Sequence, residues 1–259
     1  MDITVLVKQV PDTWGERKLV PDTWVIDRDA SDAVIDEIDS RGVEAALQLV
    51  EEHGGEVTVL TMGPDRATET LRKALAMGAD KAVHVVDDAL AGADAVQTSA
   101  VLAAAISTLG ADLVITGNES TDGRTGALAA MLAERLGRPQ VTAVRKLTID
   151  GSTVVAERVH DTGWSEVSAQ LPAVVSVTEK INDPRYPNFK GIMAAKKKPV
   201  QTLTVADLGL DPASVGGAAS ATQPVDGAAK PPRTAGEKVA DDGSAGTKVA
   251  EFLVAHRLV

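Results

Sequence analysis

ADLVITGNESTDGRTGALAAMLAERLG (111–137) opens with an apolar run of strand length. The run ends in a loop of glycines and small hydroxyl residues, and the loop leads into an Ala/Leu-rich segment with helical spacing. A strand that turns into a helix in this way is half of a βαβ unit. Glycines and hydroxyls ahead of a helix start also make an anion site, and the same residues make an ordinary capped turn. Thr125 or a neighbour is the expected cap of a helix over 125–136. That would leave the amides of Gly123, Arg124 and Thr125 for an anion, with Arg124 adding a charge-assisted bond. The loop is not a Walker A loop, since five residues separate Gly117 from Gly123 and Arg124 stands where lysine belongs. Spacing alone supports a phosphate site and a capped turn equally.

Reading outward, the same alternation recurs. ITVLVKQV (3–10), GGEVTVLTMG (54–63) and KAVHVV (81–86) have the length and composition of strands. Helical patterns lie between them: residues 40–53, then 64–80 with Pro64 at the start, then 94–109. Strands alternating with helices predict a doubly wound, mostly parallel α/β sheet, Rossmann-like in class. From 141 to 178 the period changes to that of strands joined by turns, with Asp150-Gly151 a hairpin signal. An antiparallel extension is expected there, with PAVVSV (172–177) returning to the main sheet. Residues 211–238 are rich in Ala, Gly, Ser and Pro and cannot build a core, so they read as an arm. TKVAEFLVAHRLV (247–259) closes the chain with near-helical apolar spacing and needs a surface to pack on.

Composition narrows the function. The 259 residues carry a formal charge of −11, which excludes wholesale nucleic-acid or anionic-membrane binding, so any phosphate site is local. With no cysteine, there is no disulfide, thiolate metal site or cysteine nucleophile. The longest apolar stretch, VLAAAISTLGADLVIT (101–116), is interrupted by Gly110 and Asp112 and falls short of the ~18 residues of a membrane span. MDITVLVKQV lacks the flanks of a secretory peptide and reads as a first strand, so a cytoplasmic protein is expected.

Other motifs are weaker. VKQVPDT after the first strand carries no dinucleotide fingerprint. IDEID (35–39) precedes a helix, with Asp39 or Ser40 as the ordinary N-cap. The four histidines form no metal-ligand spacing, and no catalytic triad is visible. PRYPNFKGIMAAKKKP (184–199) places Tyr186 and Phe189 beside Arg185, with Ile192 and Met193 close behind. That is the composition of an interface anchor, while two rings tucked into the core are the ordinary alternative. Lysines 196–198 read as a solvated face.

Taken together, VLVKQVPD, GVEAALQL, VLTMGPDRATETLRKALAMGAD, the 111–137 stretch, LPAVVSVTEKINDPRYPNFKGIMAAKKKP and PPRTAG resemble the electron-transfer flavoprotein β-subunit family along nearly the whole chain. The resemblance implies a non-catalytic carrier subunit, paired with an α subunit that holds most of a single FAD, with AMP buried in the β subunit. It implies an AMP site at Leu6, Asp36, Glu37, Ile38, Asp39, Met62, Glu119, Ser120, Thr121, Asp122, Gly123, Arg124, Thr125, Gly126 and Ala127. A docking loop (182–198) for acyl-CoA dehydrogenases and similar flavoprotein donors would use Arg185, Tyr186, Phe189, Ile192 and Met193. Phe189 stands where other members place leucine. Ser165 and Glu166 would face the α subunit near the flavin, although Ser165 replaces the family's Glu or Gln and Thr162 a glycine. Electrons would pass on to a membrane-bound quinone oxidoreductase, without membrane insertion of this chain. The implied domains are an α/β nucleotide-binding domain over 1–208 and a C-terminal arm with terminal helix over 209–259, packing on the partner. The nearest alternative is a bifurcating member with a second FAD in the β site, and a more distant one is a stand-alone ATP-binding sensor.

Overall fold

A computed structural model describes residues 1–228, 231–232, 235–236 and 238–259. They form two units, Met1–Val225 and Asp226–Val259. The PPRTAG stretch lies partly outside the described residues.

In chain order the strands are β1 (Asp2–Leu6), β2 (Gln9–Pro11), β3 (Ala33–Ile35), β4 (Glu56–Met62), β5 (Lys81–Val85), β6 (Leu113–Gly117), β7 (Gln140–Asp150), β8 (Thr153–His160), β9 (Gly163–Gln170), β10 (Ala173–Val177) and β11 (Val200–Leu203). The helices are α1 (Glu37–His53), α2 (Thr68–Met77), α3 (Ala95–Leu109), α4 (Leu128–Leu136), α5 (Phe189–Ala195) and α6 (Ala245–Ala255). Nine strands make one sheet in the order β11-β5-β4-β1-β6-β10-β7-β8-β9. Pairing is parallel from β11 through β7 and antiparallel across β7, β8 and β9. The expected doubly wound sheet, its antiparallel extension and the return of 173–177 to the centre are all present. Two features escaped the sequence reading. The strand expected over 3–10 ends at Leu6, and Gln9–Pro11 forms β2, paired antiparallel with β3; β11 extends the main sheet beyond β5.

The chain winds outward from β1 through β4 to β5, then α3 carries it back across to β6 on the other side of β1. Each sheet face is apolar. Ile3, Val5, Val57 and Ile115 pack with Val43 and Leu47 of α1 and Leu71 and Leu75 of α2. Leu60, Val83, Val114 and Val174 pack with Val101 and Ile106 of α3 and Leu132 of α4. The reversal of strand order leaves a crevice beyond the carboxyl ends of β1 and β6, where such sheets bind ligands.

The helix boundaries correct two expectations. α1 begins at Glu37, and its cap is Asp36, whose carboxylate accepts the Ile38 amide at 3.0 Å; neither Asp39 nor Ser40 caps it. α4 begins at Leu128, not Thr125, and Ala127 at its N-cap offers no side-chain bond. Arg124 and Gly126 both take left-handed φ (50° and 67°), which delays the helix by three residues.

In the second unit, α6 has no buried residue; Val249, Phe252, Val254 and Leu258 are exposed, and Phe252 stacks on His256 with centroids 4.1 Å apart. Among the described residues no helix is long and apolar enough to cross a membrane.

Ile115 is fully buried in the sheet centre, so Ile115→Ala is expected to cost about 2–5 kcal/mol in denaturant unfolding. A loss below about 1 kcal/mol would contradict this placement of the core.

Candidate functional site

The crevice holds a cavity of about 270 Å³, just below the roughly 300–1,000 Å³ of ligand pockets. The β1 end supplies Leu6, Val7 and Lys8, and β4 supplies Leu60 and Met62. Thr116 to Ser120 follow from β6, then Thr125, Gly126 and Leu128 from the turn into α4. The α3 end adds Ala93, Asp94, Ala95, Thr98 and Leu102. Two helix N-termini therefore meet at one cavity, and they differ. Asp94 caps α3 by accepting the Gln97 amide at 3.0 Å, and it also accepts the amides of Ala221 and Thr222 at 2.8 and 3.1 Å. α4 has no such cap. Among the described residues the amides of Thr125, Gly126, Ala127 and Leu128 have no acceptor. An unsatisfied helix start with its dipole is an anion site. By contrast, the Gly123 and Arg124 amides are engaged within the loop, with Asp122 Oδ1 at 2.6 Å and the Ser120 carbonyl at 3.0 Å.

The 117–127 loop is fastened by buried carboxylates. Asp36, fully buried, accepts both the amide and the hydroxyl of Thr121, at 2.7 and 2.8 Å. Asp39 accepts the Lys8 amide at 2.8 Å and the Gly117 amide at 3.3 Å. A Cβ at Gly117 would come within 2.7 Å of Asp39 Oδ1, so any larger residue there would displace the Asp39 carboxylate. Burial, and then the Asp36 charge, raise the Asp39 carboxyl well above its usual range, against the opposing Lys8 and Gly117 amides and the Lys8 ammonium. Asp122 is buried between two cations, Lys8 Nζ at 2.8 Å and Arg28 at 2.7 Å. Arg17 donates to the Thr121 carbonyl, so the segment between β2 and β3 also clips onto the loop.

Of the residues named for AMP, Leu6, Asp39, Met62, Glu119, Ser120, Thr125 and Gly126 line the cavity. Asp36, Thr121 and Asp122 form its supporting layer, while Glu37, Ile38, Gly123, Arg124 and Ala127 are not on the wall. Sequence reasoning missed Lys8, Asp94, Thr98 and Asn118. Lys8, Asp94 and Asn118 lie just past strand ends or at a helix start and Thr98 in the first turn of α3, but nothing in their spacing singles them out. Asn118 carries a buried side-chain oxygen without a partner among the described residues, an acceptor suited to a hydroxyl or amino donor.

The second group of named residues lies on a different surface. Tyr186 and Phe189 are 95% and 80% exposed, so the rings do not enter the core, and Ile192 and Met193 are exposed beside them. Arg185 instead turns onto α1, where Glu44 and Glu51 hold it. Of the lysines read as solvated, Lys198 is drawn in: its ammonium donates to the carbonyls of Leu75, Gly78 and Ala79 at the end of α2. Ser165 and Glu166 are exposed on the edge strand β9, next to Trp164, which lies under Arg145 at 4.9 Å.

The electron transfer flavoprotein domain matches residues 23–208. The chain is 53% identical over 264 residues to an electron transfer flavoprotein subunit beta from Mycobacterium tuberculosis, covering 100% of this chain and 99% of the relative. Similarity to the corresponding subunit of Thermoanaerobacterium thermosaccharolyticum is 40% over 226 residues, 87% and 86% of the two chains. A caffeyl-CoA reductase-Etf complex subunit from Acetobacterium woodii is 38% identical over 256 residues, 98% and 97% of the two.

Asp122 gives the site a pH signature. Burial works to raise its carboxyl, but the Lys8 charge and hydrogen bonds from Lys8, Ser120 and Arg28 prevail and hold it well below the usual range. A folded value below the unfolded one means the stabilisation is full above the unfolded carboxyl's value of about 3.9 and is lost as pH falls beneath it. Asp122→Asn is expected to lower stability by about 1.5–3 kcal/mol at pH 7, with the gap from the parent narrowing below about pH 4. Denaturant titrations at pH 7 and near pH 3 check this; a gap that widens in acid contradicts it.

Proposed function

The chain belongs to the electron transfer flavoprotein β-subunit family, and from that premise we propose that it is the structural half of a heterodimeric electron carrier. In this reading it holds AMP in the cavity between β1 and β6 while an α subunit holds most of the FAD. The observation that carries the nucleotide assignment is the contrast between two helix starts at one cavity. The Asp94 carboxylate takes an amide of the first turn of α3, whereas at α4, among the described residues, the amides from Thr125 through Leu128 and on to Ala130 have no acceptor and no side-chain cap. That arrangement accommodates one phosphate. The rest of the wall suits a nucleoside: Leu6, Leu60, Met62 and Leu102 are apolar, and Asn118 offers an unpaired acceptor.

AMP has no redox-active ring, so its role is to stabilise. A ligand bound only by the folded state contributes RT ln(1 + [L]/Kd), about 4 kcal/mol at a thousandfold excess. FAD, when bound in the heterodimer, supplies the redox chemistry. This chain's residues hold the scaffold and present surfaces. Ser165 and Glu166 on β9 face the α subunit, and the arm from 209 with α6 packs on it, covering the exposed apolar side chains of that helix. Tyr186, Phe189, Ile192 and Met193 form an apolar surface for acyl-CoA dehydrogenases and related flavoprotein donors. A membrane quinone oxidoreductase then accepts the electrons, with the carrier itself cytoplasmic.

Gly126 takes φ 67°, a conformation that β-branched residues avoid. Gly126→Val is therefore expected to release most of the AMP from the purified heterodimer and to lower its yield. Full AMP stoichiometry in that variant would overturn the loop assignment. Phe189→Ala is expected to slow electron acceptance from a dehydrogenase about tenfold, a loss of about 1.4 kcal/mol, with FAD content unchanged. Equal rates for variant and parent would remove the docking surface.

A further inference from the structure

The exposed ring of Tyr186 lies on an irregular segment just ahead of α5, and that of Phe189 on the first residue of the helix. Their arrangement is imposed from below, by two helices. On α1, Glu44 is buried, and its Oε2 accepts the Arg185 amide at 3.1 Å and Nε at 2.7 Å while Oε1 accepts Nη2 at 3.0 Å. Glu51, two turns further along the same face, accepts Nη1 and Nη2 at 2.5 and 3.1 Å. Arg41, one turn earlier, donates to the Asn182 backbone carbonyl and reaches Asp183 at 3.2 Å; the Asn182 side-chain Nδ2 donates back to the Arg41 carbonyl at 3.0 Å. On the other side α2 supplies Arg72, which donates to the carbonyls of Ala195 and Lys198 at 2.7 and 3.0 Å. The segment is thus pinned at 182–185 and at 195–198, with the rings between.

Resting on the docking reading above, we propose that Glu44, with Glu51, is a positioning residue for partner docking: through Arg185 it fixes the segment that presents Tyr186 and Phe189. Arg185 itself is then a strut. Its guanidinium donors are spent on two carboxylates of its own chain, leaving little for a partner. A planar fork is needed to span both carboxylates, which a lysine ammonium cannot do. The helix that carries this clamp also carries Asp36 and Glu37 at its other end, so the docking segment is referred to the same rigid element as the cavity.

The test uses the heterodimer with FAD bound, assayed by steady-state kinetics with an acyl-CoA dehydrogenase whose flavin it reoxidises. Glu44→Ala and Arg185→Lys are each expected to raise the KM for the carrier about tenfold while the maximal rate and the FAD content stay unchanged. A change that merely loosened the fold would lower the yield and the melting temperature without moving KM. Should Glu44→Ala fail to assemble, Arg185→Lys carries the test. Phe189→Ala, measured in parallel, separates the two claims. Raised KM in Phe189→Ala with parental KM in the clamp variants overturns the clamp alone. Parental KM in all three variants removes the docking reading with it, and a fall in maximal rate at unchanged KM in the clamp variants also overturns the proposal.

Discussion

One buried carboxylate ties the functional parts together. Asp36 caps α1 with one oxygen and takes both donors of Thr121 with the other, joining positions 85 residues apart in sequence. A buried charge is tolerable only when its hydrogen bonds are complete and an opposite potential is near. Asp36 meets both conditions, with three donors and the positive end of α1. The consequence is geometric: the loop that leads into α4 is held against the start of α1. The amides at Thr125–Leu128 therefore have a fixed place relative to the β1 end of the cavity.

The charge distribution follows from the same constraint. The chain as a whole is strongly acidic, yet Lys8, Arg17 and Arg28 converge on the 117–127 loop. Two of the three neutralise Asp122, and Arg17 braces the Thr121 carbonyl, so most of this positive charge is spent on holding backbone. Asp39 sits on the wall with a carboxyl that burial and Asp36 push toward its protonated form, which reduces its repulsion of a neighbouring anion. In the proposed reading the attraction for a phosphate comes chiefly from helix amides, which would let an acidic protein with no Walker lysine carry a local anion site.

Much of this was legible in the sequence, and the parts that were not share a cause. Each βα period in the first half of the chain is long enough to be read, and Gly110 and Gly137 close α3 and α4 where glycine is expected after a helix. β2, β3 and β11 are three or four residues long, too short for any period to show. The cap of α1 falls on Asp36 because IDEID offers two aspartates as capping candidates, and only the packing of Asp36 against Thr121 selects between them. The cap expected at Thr125 failed because the left-handed turn at Arg124 and Gly126 postpones the helix. Lys8, Glu44 and Lys198 act through partners more than a hundred residues away, which local patterns do not encode. Family resemblance pointed to Leu6 and Met62, which line the cavity; it also placed Arg185 among partner contacts, where the fold pairs it with Glu44 and Glu51.

The most direct measurement is mass identification of every nucleotide released from the purified, denatured heterodimer, with absorbance counting of flavin. A shuttle subunit holding an adenylate gives one AMP and one FAD per heterodimer. Two flavins without AMP, or no nucleotide beyond a single FAD, would contradict the assignment of an adenylate to the start of α4.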